Sequence, residues 1–133
     1  MTNKSKKIQS EISAGELLDK LSILEIKIIK VKNKSNLIEI KKEHKILNKT
    51  KKINIKNSSK INSLFSKLKQ INLKLWNIED KIRIYEKNKD FNKTFINLAR
   101  SVYFNNDKRA IIKSKINKIL NSNIKEIKQY VDY

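Results

Sequence analysis

The sequence predicts an all-α fold, a helical bundle built on a long antiparallel hairpin with two or three shorter C-terminal helices. Three observations carry this. The 133 residues include one glycine and no proline, so few positions can hold a positive φ or force a sharp stop. No Asn-Gly or Asp-Gly pair marks a turn between strands. From Ile61 to Tyr85, apolar residues recur at alternating three- and four-residue spacing without a break.

The elements follow in chain order. Residues 1–12 open as MTNKSKKIQS and read as a basic, flexible tail with no apolar stretch behind it; one helical domain is expected over 13–133. Ser13-Ala14-Gly15-Glu16 has capping-box spacing, and Leu17, Leu21, Leu24, Ile28 and Val31 extend a helix over about 14–32. Leu37, Ile40 and Leu47 predict a second helix over about 36–51, and INIKNSS, 53–59, is a polar connection ending in serines that can cap. Ile61, Leu64, Leu68, Ile71, Leu75, Ile78, Ile82 and Tyr85 then form a seam of about seven turns. Such a seam serves packing within the chain or a coiled-coil homodimer through 59–87 equally well.

Asn88 to Asp90 interrupts the seam, and Phe91, Phe95, Leu98 and Val102 open another helix. Phe104-Asn105-Asn106 reads as a second break, with Asn106 or Asp107 capping a helix that carries Ile112, Ile116, Ile119 and Leu120. Asn121 to Asn123 sets off a short last helix with Ile124 and Ile127.

The formal charge is +19, from 29 lysines and three arginines against 13 acids. Charge of this size attracts polyanions weakly at low salt. Specific readers of nucleic acid favour arginine, however, and lysine, isoleucine and asparagine are the residues that an adenine- and thymine-rich coding sequence produces. Drift in base composition accounts for the lysines without a polyanionic partner. The residues that drift does not explain are then the informative ones: Gly15, Trp76, Arg83, Ala99, Arg100, Arg109 and Ala110. Absence of cysteine excludes disulfides and thiolate chemistry, and no run of apolar residues is long enough to span a membrane. A cytoplasmic protein is expected.

Helical phase singles out polar residues in apolar slots. Arg109 shares a stripe with Ile112, Ile116 and Ile119; Glu25 shares one with Leu18, Leu21 and Ile28; His44 falls between Ile40 and Leu47, as a boundary histidine; Arg100 edges the stripe of Ile96. A buried charge needs a partner, so Glu25 is expected to meet Arg109 or Arg100, as a structural ion pair or as the wall of a charged pocket. Beside the long seam runs a second stripe of Asn72, Trp76, Glu79, Arg83 and Glu86, with Glu79 and Arg83 an i,i+4 pair. It reads as a solvated ladder, or as a polar interior if another helix covers it. One anion site is conceivable at the start of a helix near Asp107, with Arg109 alongside. One histidine, no cysteine and no glycine-rich loop leave no metal or cofactor site to predict, and no catalytic trio can be named.

The strings SAGELLDKLSILEIK, LWNIEDKIRIYE and FINLARSVYFNNDKRAIIKSKIN resemble a family of small, functionally uncharacterised helical proteins of bacteria. The resemblance runs from about Ser13 to Tyr130; the turn after the last string, Leu120-Asn121-Ser122, lacks the glycine of the family pattern. It implies a helical cytoplasmic protein associated with genes for lipopolysaccharide or other surface-glycan synthesis. The polar positions it implies are Glu16, Asp19, Lys20, Glu25, Trp76, Glu79, Asp80, Arg83, Arg100, Ser101, Tyr103, Asn106, Asp107 and Arg109. Three functions remain open at this point. The first is a non-enzymatic accessory or binding protein, with a protein partner, using a cluster of Glu25, Glu79, Arg83, Arg100 and Arg109. The second is an enzyme or receptor for an anionic metabolite, such as a sugar phosphate or sugar nucleotide, with Arg83, Arg100 and Arg109 holding the anion, Tyr103 and Asn106 the hydroxyls, and Glu25 or Glu79 any proton transfer. Nonspecific nucleic-acid binding is the third.

Overall fold

The computed structural model describes residues 4–133; the first three residues of the expected tail lie outside the described part. Four helices follow one another: α1 Ala14–Lys30, α2 Lys34–Asn54, α3 Ser59–Lys87 and α4 Lys93–Ile119. All four start in the same way. The side chains of Ser13, Asn33, Ser58 and Asn92 each accept the backbone N–H three residues on, at Glu16, Asn36, Ile61 and Phe95. Short polar side chains with extended backbone satisfy an orphan donor at each helix start, which is why these residues begin helices.

Helix α1 is the centre of the molecule, because it packs against each of the other three. Leu17, Leu18, Leu21, Leu24 and Ile26 are all buried, and so are Asp19 and Ser22 between them. A helix covered on several sides cannot show a single apolar stripe. Helices α3 and α4 form an antiparallel pair joined by a turn in which Lys89 takes a left-handed φ of 54°. The core joins Leu17, Leu18 and Leu21 of α1 to Ile61 and Leu68 of α3 and to Ile112 and Ile116 of α4. Helix α2 lies against α1 and buries none of its residues fully.

The seam of α3 packs within the chain at Ile61, Leu68, Leu75 and Ile78, which are buried, while Leu64, Ile71, Ile82 and Tyr85 are partly exposed. Several expectations need correction. The break at Phe104-Asn105-Asn106 does not exist, and α4 runs through it. Asn105 is 4% exposed and donates from Nδ2 to the Ser101 carbonyl at 2.7 Å, one turn back along the helix. The stripe Leu98, Val102, Asn105, Arg109, Ile112, Ile116 never loses its four–three rhythm; polar residues merely occupy its middle. Tertiary packing here overrides the modest helix propensity of asparagine. With no helix start near Asp107, the anion site imagined there has no free N–H groups.

The short final helix is also missing. Residues 124–133 carry no regular structure, and Ile127 is 85% exposed. A segment that short is a marginal helix in water, and its charged and polar side chains are engaged elsewhere. Glu126 is held by Lys113 at 2.9 Å, and the Tyr133 hydroxyl donates to Asp107. Among the described residues no helix is long and apolar enough to cross a membrane.

Candidate functional site

The site begins at the only glycine. Gly15 sits against the backbone of α4, where an added Cβ would come within 2.6 Å of the Lys113 carbonyl oxygen. No larger residue permits that approach. The closeness lets α4 and the turn after it finish the N-terminus of α1. Asn117 Oδ1 accepts Gly15 N–H at 2.7 Å, and Ser122 Oγ accepts Ala14 N–H at 3.0 Å.

One turn further along α1, Asp19 is 2% exposed. Its Oδ1 accepts from Asn72 Nδ2 of α3 at 2.8 Å, and its Oδ2 lies 3.1 Å from Arg109 Nη2 of α4. Lys113 Nζ stands 3.8 Å from the same Oδ2. The second proton of Asn72 Nδ2 goes to Ser22 Oγ at 2.7 Å, while the Ser22 hydroxyl donates to the Asp19 carbonyl at 2.8 Å. Three helices therefore meet at one buried carboxylate whose oxygens are both engaged. This is the arrangement a buried charge requires. Among the described residues no fully buried side-chain polar atom lacks a hydrogen-bond partner.

Lys113 extends the network outward. Its side chain is 6% exposed, and its ammonium contacts Glu16 at 2.7 Å and Glu126 at 2.9 Å. Burial works to lower its pKa, but hydrogen bonds to Glu16 and Glu126 and the nearby Asp19 charge outweigh it, so the group is held above the ordinary lysine value. The same contact with Lys113 pulls Glu126 below the usual carboxylate range.

A cleft of about 450 Å³ opens beside the network, with Asn72 and Arg109 shared between the two. Ile23, Ile26 and Leu75 supply its apolar lining; Trp76, Glu79, Asp80 and Arg83 line it from α3, and Asn106 from α4. Arg83 Nη2 is 3.5 Å from Glu79 Oε2 in an exposed i,i+4 pair, and Arg109 Nη1 is 3.5 Å from Asn106 Oδ1. Both guanidinium groups of the cleft thus have a carboxylate beside them.

The predicted residues divide accordingly. Trp76, Glu79, Arg83, Asn106 and Arg109 share the cleft. Glu25 meets neither arginine; its carboxylate takes Lys69 at 3.1 Å and stands 4.0 Å from His44 Nε2, joining α1 to α2 and α3. Arg100 is exposed, donating from Nε to the Tyr103 hydroxyl at 3.4 Å and lying over the Phe104 ring. Tyr103 and Asp107, with Asn106, line a separate cleft of about 640 Å³ beneath the C-terminal segment, where bonding to Asp107 pushes the Tyr133 hydroxyl pKa up to about 12.

Phase reasoning missed Asp19, Lys113 and Asn117. A one-stripe reading of α1 assigns Asp19 to solvent, and a lysine among 29 carries no signal by type. The string RAIIKSKIN nonetheless holds Lys113 and Asn117 at the spacing that aims both at α1.

Among the described residues, fold and site together define an all-α protein of four helices, organised around a buried aspartate with a tryptophan-bearing cleft beside it. The chain belongs to the family of unknown function DUF6165, whose model matches residues 8–132. No match was found among curated proteins or solved structures.

Proposed function

We propose that the protein is a non-enzymatic, cytoplasmic binding protein that serves surface-glycan synthesis, with the Trp76 cleft receiving a neutral, hydroxyl-rich ligand of the sugar class. One observation carries this reading. The cleft combines a half-buried indole and an aliphatic lining with carboxylate, amide and guanidinium groups whose charges balance. An aromatic face packs on the C–H surface of a sugar ring, and Glu79, Asp80, Asn72 and Asn106 offer the donors and acceptors that hydroxyl groups need. The association with surface glycans comes from the family resemblance of the sequence.

A phosphorylated or nucleotide ligand fits less well. Such an anion calls for guanidinium groups free to fork onto it, whereas Arg83 and Arg109 each face a carboxylate. Among the described residues that line the cleft only the Glu79 and Asp80 carboxylates could act as nucleophile or proton shuttle, and Glu79 is paired with Arg83. Lysines stand on the exposed surfaces of all four helices, a spread that argues against a nucleic-acid groove.

Trp76 is the only tryptophan, so its emission reports on the cleft directly. Titration with hexoses and surface-glycan oligosaccharides is expected to give a saturable emission change and a raised unfolding temperature. Both responses should vanish in Asn106→Ala. If sugar phosphates and inorganic phosphate alone produce them, the anionic-metabolite reading replaces this one; silence across the panel removes the proposal.

A further inference from the structure

We propose that the outward face of α2 docks the protein on an anionic lipid bilayer, lying on the surface without crossing it. This rests on α2 alone and is independent of what the Trp76 cleft holds.

Helix α2 has 21 residues and spans about 31 Å at 1.5 Å per residue. Leu37, Ile40, His44, Leu47 and Lys51 face the bundle and are half-buried. At 100° per residue, the opposite side presents Ile38, Ile46 and Ile53, which are 67%, 57% and 72% exposed. Lys42 and Lys49 stand between the isoleucines, and Lys34, Lys41, Lys45 and Lys52 run along one flank. Among the described residues none of these six lysines makes an ion pair. The two acids of the helix, Glu39 and Glu43, lie one turn apart on the other flank.

A row of aliphatic side chains edged by unpaired lysines suits the boundary between lipid headgroups and acyl chains. The isoleucines enter it, and the lysine stems follow them while the ammonium groups stay among the phosphates. The position of the acids sets the roll: the lysine flank turns toward the membrane and the Glu39–Glu43 flank toward water. Two features favour lipid over other polyanions. The face has no arginine to fork onto phosphates and no aromatic ring to stack on bases. It also belongs to the helix that packs chiefly on α1, touching α3 where Lys51 lies over Phe65, and its outer side is a convex ridge that meets a plane more readily than a matching groove.

The test is co-sedimentation of the full chain with vesicles of equal parts phosphatidylglycerol and phosphatidylcholine, against vesicles of phosphatidylcholine alone. Binding is expected to the anionic vesicles only and to weaken with salt. The Ile38→Gln, Ile46→Gln, Ile53→Gln variant should bind about a hundredfold more weakly, since each residue withdraws aliphatic surface from the lipid. Lys41→Gln, Lys45→Gln, Lys52→Gln should lose about as much. These positions are exposed, and an unchanged helical circular dichroism signal shows that the variants fold. As a control, Lys60→Gln, Lys67→Gln, Lys115→Gln, Lys118→Gln removes lysines that line the groove between α3 and α4 and should stay bound. The proposal is overturned if neither vesicle is bound. It is equally overturned if the control loses as much as the α2 variants while the isoleucines make no difference, which is the behaviour of a uniform charge coat. Binding through α2 to duplex DNA or an acidic peptide, with none to vesicles, overturns it as well.

Discussion

The Asp19 carboxylate and the Arg109 guanidinium, 3.1 Å apart, tie α1 to α4. They are unequal partners. Asp19 is 2% exposed, whereas the Arg109 side chain is 26% exposed and also borders the cleft. The aspartate is therefore the group that cannot do without the pair, because water cannot reach it as a substitute.

Replacing Asp19 by Ala leaves Asn72 and Arg109 pointing at a void, with the Arg109 guanidinium stripped of its carboxylate while Lys113 keeps Glu16 and Glu126. The expected loss is about 3–5 kcal/mol of folding stability, measured by urea denaturation. Arg109→Gln should cost clearly less, since Lys113 and Asn72 still face the carboxylate. Equal losses in the two variants would show that the load is shared differently.

Gly15→Ala tests the close approach of α1 and α4. The new Cβ would meet a backbone oxygen at 2.6 Å, so the helices must part and the Gly15–Asn117 bond must lengthen. A loss of about 1–3 kcal/mol is expected in the same assay, although alanine is the better helix former. A neutral or stabilising result would mean that the helices part without resistance.

Glu25 should behave as a surface-edge residue. Its side chain and that of Lys69 are each about a third exposed, at 31% and 37%. A double-mutant cycle between Glu25→Ala and Lys69→Ala is expected to give a coupling below about 1 kcal/mol. A larger value would place the pair in a drier setting than its exposure indicates.

Stability should respond to pH through Lys113, held by Glu16 and Glu126, and through Glu126 itself. Lys113 holds its proton more firmly when folded, so its contribution is complete below the ordinary value of 10.5 and fades as pH climbs through the raised folded value. Glu126 has a lowered pKa, so its contribution is complete above 4.5 and fades as acid is added through the depressed folded value. The urea midpoint should therefore form a plateau that shoulders down at both ends. Lys113→Met should remove this residue's part of both shoulders.

Much of the fold was legible because α3 writes its packing on α1 and α4 in a single register: one apolar seam, one rhythm. Helix α4 was misread as two because Asn105 and Arg109 fill apolar slots, and a local reading takes two asparagines for a boundary. Helix α1 hid the centre of the site for the opposite reason. With neighbours on three sides, its buried set includes Asp19 and Ser22, which lie off any one stripe. Arg109 was picked out correctly as a charge on an apolar face, but its partner was not. Pairing depends on how helices rotate against each other, and spacing along one helix does not contain that rotation. Glu25 shows the same gap, since Lys69 looked like any other lysine.

The handshake between Gly15 and Asn117 joins positions 102 residues apart. During synthesis, α1 thus leaves the ribosome well before α4, which completes its surroundings. Until α4 emerges, Asp19 has no cation, and its leucine neighbours lack the Ile112 and Ile116 side of their cover. Assembly is forced to be late and nearly all at once, and a chain arrested after its third helix should be a client for chaperones.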